Sequence, residues 1–278
     1  MMEYLPILVL VFSFLTLLLI GVPVAWSIAI SSLLTMMVSI PFIPALTTVS
    51  QRIGTGLDSF ALLAIPFFVL SGQLMNKGGI AHRLIDFAKT LVGSLPGGLA
   101  LINVIAAMLM GSIAGSAMAS ASAMGSILGP EMEKEGYSRE FGAAVNITSS
   151  TVGLIIPPSN VLIVYSLASG GVSIAALFIA GYIPGILTGL LLMIVASFWA
   201  KKKGYKAGKR SSLKEVGKTF INAFPSLTLL FVVIGGIVGG VFTATEASAV
   251  AVLYTLVLGF YYKEIKVLNE RNIPEDGP

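Results

Sequence analysis

The sequence predicts an all-α, polytopic membrane protein in which two apolar segments are broken in mid-course. Three observations predict it. Hydrophobic residues make up 56% of the 278 positions and charged residues only 11%, whereas a soluble domain carries roughly 25% charged residues; the mean hydropathy is +0.94. Apolar runs of spanning length recur between short turns, and a bilayer core needs a helix of ~20 residues, or ~17 at the short end. Two of the runs are interrupted, one by Gly111-Ser112-Ile113-Ala114-Gly115-Ser116 and one by Pro157-Pro158.

Taken in order, residues 5–20 form a first span, Gly21-Val22-Pro23 a tight turn, and residues 24–40 a second span closed by Pro41 and Pro44. Glu3 precedes the first run and no basic segment does, so the run reads as a span rather than a cleaved leader. Residues 47–58 are polar and glycine-rich, a loop or short surface helix. Residues 60–75 form a third span containing Pro66 and ended by Gly78-Gly79. Beyond it Ile80, Leu84, Phe87, Ala88 and Leu91 share a helical face opposite His82, Arg83, Asp86 and Lys89. That is an amphipathic helix lying along the interface, with His82 a solvated residue on its polar side.

Residues 99–110 and 117–128 flank the Gly/Ser tip at 111–116. Each flank, at roughly 12 residues, falls short of a span. Short interrupted segments predict a re-entrant hairpin that enters and leaves by one face; the alternative is one long span packed through its small residues. Residues 131–140 are charged. Residues 145–167 hold the second interruption, with hydroxyls and amides at Asn146, Ser149, Ser150, Thr151, Ser159 and Asn160 around the two prolines. Proline lacks a backbone N–H, so carbonyls preceding the pair lose their helical partners. In lipid, bare carbonyls must line a cavity or bind something. A broken helix whose unwound middle coordinates a cation follows; the alternative is a proline-kinked structural helix whose hydroxyls bond back to the chain.

Residues 174–200 form a span with Pro184-Gly185 inside it. Lys201, Lys202, Lys203, Lys206, Lys209, Arg210, Lys214 and Lys218 then follow against Glu215 alone. This cluster places residues 201–218 in the cytoplasm. Counting back across a hairpin puts the N-terminus outside. Residues 224–239 and 247–261 are further spans, and the link between them, Gly240 to Ala247, echoes the turn at Gly21-Val22-Pro23. It reads as the start of a second, inverted repeat. Glu246 there is a functional carboxylate or a helix cap. Residues 263–278 are a polar tail, so the second repeat is expected to be incomplete. The organisation is thus 1–58 (two spans and an external loop), 59–200 (hairpin and broken helix), 201–218 (basic loop), 219–262 (start of the second repeat) and 263–278 (tail).

Several segments together resemble the large membrane subunit of tripartite ATP-independent periplasmic (TRAP) transporters, the DctM-like permeases. They are residues 59–79 (SFALLAIPFFVLSGQLMNKGG), 93–98 (GSLPGG), 111–120 (GSIAGSAMAS), 155–160 (IIPPSN), 176–185 (ALFIAGYIPG) and 241–247 (VFTATEA). The resemblance implies an elevator-type, sodium-driven importer of organic anions such as C4-dicarboxylates, sialic acid or sugar acids in a bacterial or archaeal inner membrane. It implies two partners, a small membrane subunit and a periplasmic substrate-binding protein, and no cofactor beyond sodium as coupling ion. It also implies a sodium site between hairpin tip and broken helix, carried here by Ser112, Gly115, Ser116, Asn146, Ser149, Ser150, Thr151, Pro157, Pro158 and Ser159. The chain departs from the family pattern at Ser120, where Asp is common, at Ala244, where proline is usual, and in the second hairpin and second Pro-Pro helix, which are not found. A shortened, non-transporting membrane protein is the alternative reading.

Other classes fit poorly. With no cysteine and one histidine, thiolate chemistry is excluded and a metal centre has little to build on. An intramembrane protease needs a His, Lys or Asp partner within the spans, and His82, Asp58, Asp86 and the lysines all lie outside them. The net charge of +4 comes from loop lysines and reports topology rather than nucleic-acid binding.

Overall fold

The computed structural model describes residues 4–205, 207, 208 and 210–262. Over these residues it holds twelve α-helices and one 3-10 turn, with no strand. The polar tail at 263–278, and Lys206 and Lys209 of the basic cluster, lie outside the described residues. The chain divides into two compact units, one ending at Ser59 and one beginning at Phe60.

The first unit contains α1 (Leu5–Leu19), α2 (Val24–Met37) and α3 (Phe42–Leu57). Prolines mark the helix starts: Pro6 sits in the first turn of α1, Pro23 is the N-cap of α2 and Pro41 that of α3. A fixed φ and a missing N–H cost nothing there. Residues 47–58, read from sequence as a loop or a short surface helix, belong almost entirely to the regular helix α3. Its threonines reconcile polarity with helix: Thr47 and Thr48 hydroxyls donate back to Ile43 O and Pro44 O at 2.6 and 2.8 Å.

The second unit opens with a 3-10 turn (Phe60–Leu63) running into α4 (Ala64–Lys77); together they are long and apolar enough to cross a membrane. There follow α5 (Ile80–Val92), α6 (Gly98–Ala114), α7 (Ala117–Lys134), α8 (Arg139–Ile155), α9 (Asn160–Ala168), α10 (Ile174–Lys203), α11 (Leu213–Val238) and α12 (Ala244–Tyr261). Helices α10, α11 and α12 also reach spanning length and hydropathy, and α8 with α9 makes a fifth span if the bent pair counts as one. The protein is thus a helical membrane protein. The basic segment is less of a loop than its composition suggests, because Lys201–Lys203 end α10 while Lys214 and Lys218 lie on α11. Cations in the last turn of α10 oppose its C-terminal dipole.

A core built around Phe68, Met75, Leu84, Met110, Met124, Phe178 and Leu229 joins these helices. Helix α4 lies along α12, with Gly78 close to Gly259, and the Thr245 hydroxyl donates to Phe60 O at 2.8 Å. Of the face read from sequence as apolar, Ile80, Leu84 and Ala88 are buried, together with Ala81 and Ile85, where α5 packs against α6 and α11, while Phe87 is half-buried and Leu91 exposed. His82 is exposed on the opposite side.

The hairpin arms are longer than the apolar flanks suggest, because α6 starts at Gly98 and α7 continues to Lys134, and the tip shrinks to Gly115-Ser116. The Ser120 hydroxyl donates to Ala107 O at 3.2 Å. On one continuous helix those residues would lie about 20 Å apart, so α7 folds back along α6 and the single long span is ruled out.

Candidate functional site

The end of α8 is dictated by two prolines. Pro157 and Pro158 have no N–H to offer Gly153 O and Leu154 O, so the ladder stops at Ile155. Leu154 O is instead taken by the Ser159 hydroxyl, whose oxygen also accepts Leu162 N at 3.3 Å as the N-cap of α9. One serine thus serves both sides of the break. The axes of α8 and α9 differ by 52°. The Pro157–Pro158 peptide is cis, and residues 156–159 are all buried. Helix α10 closes over them at Gly181, where an added Cβ would lie 2.6 Å from Ile155 O.

The hairpin tip sits against this break. Gly115 ends α6 at φ +59°, a left-handed conformation that other residues adopt at a cost. A Cβ on Gly115 would lie 3.1 Å from Pro158 O and 3.3 Å from both Asn160 N and Asn160 Oδ1. The Asn160 N–H donates to Gly115 O at 3.4 Å. Ser116 caps α7 by accepting Ala119 N at 3.3 Å, and Ser112, only 2% exposed, donates to Leu109 O at 2.8 Å. Below the tip α6 and α8 touch backbone to backbone, since a Cβ on Gly153 would lie 2.6 Å from Gly111 Cα.

The residues that the family resemblance implied for one site fall in two places. Ser112, Gly115, Ser116, Pro157, Pro158 and Ser159 gather at the tip and the break. Asn146 lies about 14 Å further down α8 from Ile155, at 1.5 Å per residue. There the Ser149 hydroxyl donates to Asn103 Oδ1 at 2.9 Å, Ser150 donates to Asn146 O at 2.7 Å, and Asn146 Nδ2 donates to Ala121 O at 2.9 Å. The Ser149 and Asn146 side-chain bonds tie α8 to both hairpin arms, while the Ser150 bond stays within α8. Thr151 is exposed and bonds back to Thr148 O at 2.7 Å, facing neither group.

Two amides enter that were not among the assigned residues. Asn160 Oδ1 is buried at the tip, and no described residue bonds to it; Asn103 is 1% exposed and accepts from Ser149. Asn160 could have been found: an amide directly after Pro-Pro-Ser starts a helix inside an apolar segment, where a buried acceptor needs a partner. Asn103 gave no such signal, being a lone polar residue in an apolar run. Ser120, the position at which the resemblance implies a frequent Asp, donates to Ala107 O; an ionised carboxylate has no proton to give that carbonyl. Glu246 is a cap. Its carboxylate accepts the Thr243 N–H at 2.8 Å and the Thr243 hydroxyl at 2.9 Å, a capping box that starts α12.

No charged residue occurs between Lys89 and Glu131 or between Glu140 and Lys201, so side chains bring no net charge to the tip. What it has is helix ends. The C-termini of α6 and α8 present carbonyls, and the N-termini of α7 and α9 present N–H groups. Carbonyl ends favour cations and N–H ends favour anions.

Comparison with known proteins agrees with these features. A family model described as "Tripartite ATP-independent periplasmic transporter, DctM component" matches residues 11–273. The chain is 54% identical over 272 residues to the uncharacterized protein YgiK of Salmonella typhimurium, covering 98% of this chain and 62% of that one. It is 39% identical over 249 residues to the sialic acid TRAP transporter large permease protein SiaM of Vibrio cholerae, covering 90% and 58%. It is 35% identical over 272 residues to the C4-dicarboxylate TRAP transporter large permease protein DctM of Rhodobacter capsulatus, covering 93% and 61%. The chain therefore spans about three fifths of the length of these relatives. With a match over nearly its whole length, a hairpin and a proline-broken helix, the chain belongs to the DctM component family of tripartite ATP-independent periplasmic transporters.

Proposed function

We propose that the chain serves sodium-coupled import of organic acids as part of a large permease subunit, with the coupling ion held where the hairpin tip meets the broken helix. The observation that carries this reading is the meeting of helix ends at Gly115 and Pro158, with the buried Asn160 Oδ1 beside them. A hard cation takes oxygen ligands, and the carbonyl ends of α6 and α8 suit it. The N–H ends of α7 and α9 suit a carboxylate without any basic side chain. In this reading Gly115, Pro158 and Asn160 supply ion-facing oxygens, whereas Asn146 and Ser149 hold α8 against the hairpin.

The names of the relatives point to organic acids such as sialic acid and C4-dicarboxylates. A small membrane subunit and a periplasmic substrate-binding protein complete the system, which works by elevator motion in the inner membrane. The N-terminus is outside and the basic segment at 201–218 cytoplasmic. A hairpin returns to the face it leaves, so this count holds whatever depth the tip reaches.

The test is uptake of labelled organic acid into proteoliposomes holding the chain within its complete transport system. Uptake that requires an inward sodium gradient is expected. Equal uptake under a potassium gradient would refute the sodium assignment, and no uptake of any organic acid would refute the substrate class.

A further inference from the structure

A groove of about 610 Å³ runs between α2 and α3 in the first unit, lined by Trp26, Ala29 and Met36 on one side and Val49, Arg52 and Ile53 on the other. Its lining is apolar apart from Ser32 and Arg52, and Arg52 stands exposed. Arg52 is the only basic residue in the first 59 positions, and it makes no ion pair among the described residues. The apolar residues of α3 (Phe42, Ile43, Leu46, Ile53 and Leu57) form a stripe that is also left exposed. An amphipathic helix with an uncovered apolar face and a cation bordering it is suited to the lipid headgroup boundary.

We infer that this groove binds one anionic phospholipid, its phosphate on the Arg52 guanidinium and an acyl chain along α2. Charge and length both favour that occupant. A planar guanidinium matches a phosphate bidentately. From Ala25 to Met36 the groove wall runs about 16 Å at 1.5 Å per residue, close to the ~15 Å of a single leaflet's hydrocarbon. A zwitterionic lipid would fill the same groove but would set its own cation against Arg52.

The protein supplies its own reporter, because it has two tryptophans and Trp26 lines the groove. In the Trp199→Phe variant, Trp26 fluorescence is read in phosphatidylcholine vesicles doped with either phosphatidylglycerol or phosphatidylcholine carrying the same brominated chains. The brominated anionic lipid is expected to act about fivefold more effectively, the enrichment a basic residue gives near an anionic headgroup. Arg52→Gln should abolish that preference and Arg52→Lys should keep most of it, with the helical circular dichroism unchanged in both. Equal quenching by the two lipids, indifferent to Arg52→Gln, would mean the groove is merely wetted by bulk lipid and would overturn the assignment. Absence of quenching by either lipid would overturn it too, since protein would then cover the groove.

Discussion

Replacing Gly153 by alanine tests the packing that holds the hairpin to the broken helix. The new Cβ would lie 2.6 Å from Gly111 Cα and 3.1 Å from Ala107 O. Carbon atoms rest at about 3.5–4.0 Å, so α6 and α8 must part by roughly 1 Å at their crossing. Both obstructing atoms are backbone, and no rotamer change relieves them. Overpacking of this kind costs about 1–3 kcal/mol, against a gain of up to ~1 kcal/mol from exchanging glycine for alanine within a helix. The net expectation is a loss on the order of 1 kcal/mol or more. Gly129 is the internal control, because it is also helical but has nothing within 4 Å of an added Cβ; there the same exchange should be neutral or stabilising. Thermal unfolding in detergent, followed by circular dichroism, compares the three proteins. The Gly111→Ala, Gly153→Ala double variant should lose less than the sum of the single variants, since one displacement relieves both. A Gly153→Ala protein that melts together with Gly129→Ala would refute the close crossing.

Other perturbations follow from the same contacts. Ser149→Ala removes the donor to the buried Asn103 Oδ1 and should cost about 1–3 kcal/mol in a melt, whereas Thr151→Ala, on an exposed face, should be nearly silent. Thr243→Ala opens the capping box of α12 and should cost about 1 kcal/mol, while Glu246→Gln keeps an acceptor for the Thr243 N–H and should change stability little and organic-acid uptake not at all. Burial raises the Tyr137 phenol above its ordinary value of 10.0, outside the membrane spans and stacked 4.2 Å from Tyr205. A raised pKa contributes stability that is complete below the unfolded value and fades as pH climbs through the folded one. Tyr137→Phe should therefore flatten the alkaline end of a stability–pH profile above about pH 10.

The helical membrane fold is legible because hydropathy and spanning length are local properties, and Pro157-Pro158 alone dictates where α8 stops. The hairpin was expected from two short apolar flanks around a Gly/Ser tip, but the choice against a continuous span needed tertiary information. The Ser120–Ala107 bond shows α7 turning back along α6, and no periodicity in Ala, Ser, Gly and Met makes that distinction. Helix α3 was obscured because Thr47, Thr48 and Thr55 look like loop residues, yet each satisfies its hydroxyl on its own helix. Composition placed hydroxyls around the break but could not say where they point. A helix turns by 100° per residue, so Ser149, Ser150 and Thr151 face three directions and only the first reaches Asn103. Asn160, whose buried oxygen lies beside the tip, was passed over for serines that, Ser149 apart, bond their own neighbouring backbone.

The most direct measurement is the sodium dependence of thermal stability for the purified chain, titrated against potassium at constant ionic strength. An ion bound at the tip stabilises by RT ln(1 + [Na⁺]/Kd), about 2.7 kcal/mol at a hundredfold excess over Kd. Sodium should raise the melting temperature of the wild type and of Thr151→Ala, and should do so much less in Asn160→Ala. Identical melting in sodium and potassium, or an undiminished sodium shift in Asn160→Ala, would contradict a cation held between the hairpin and the broken helix.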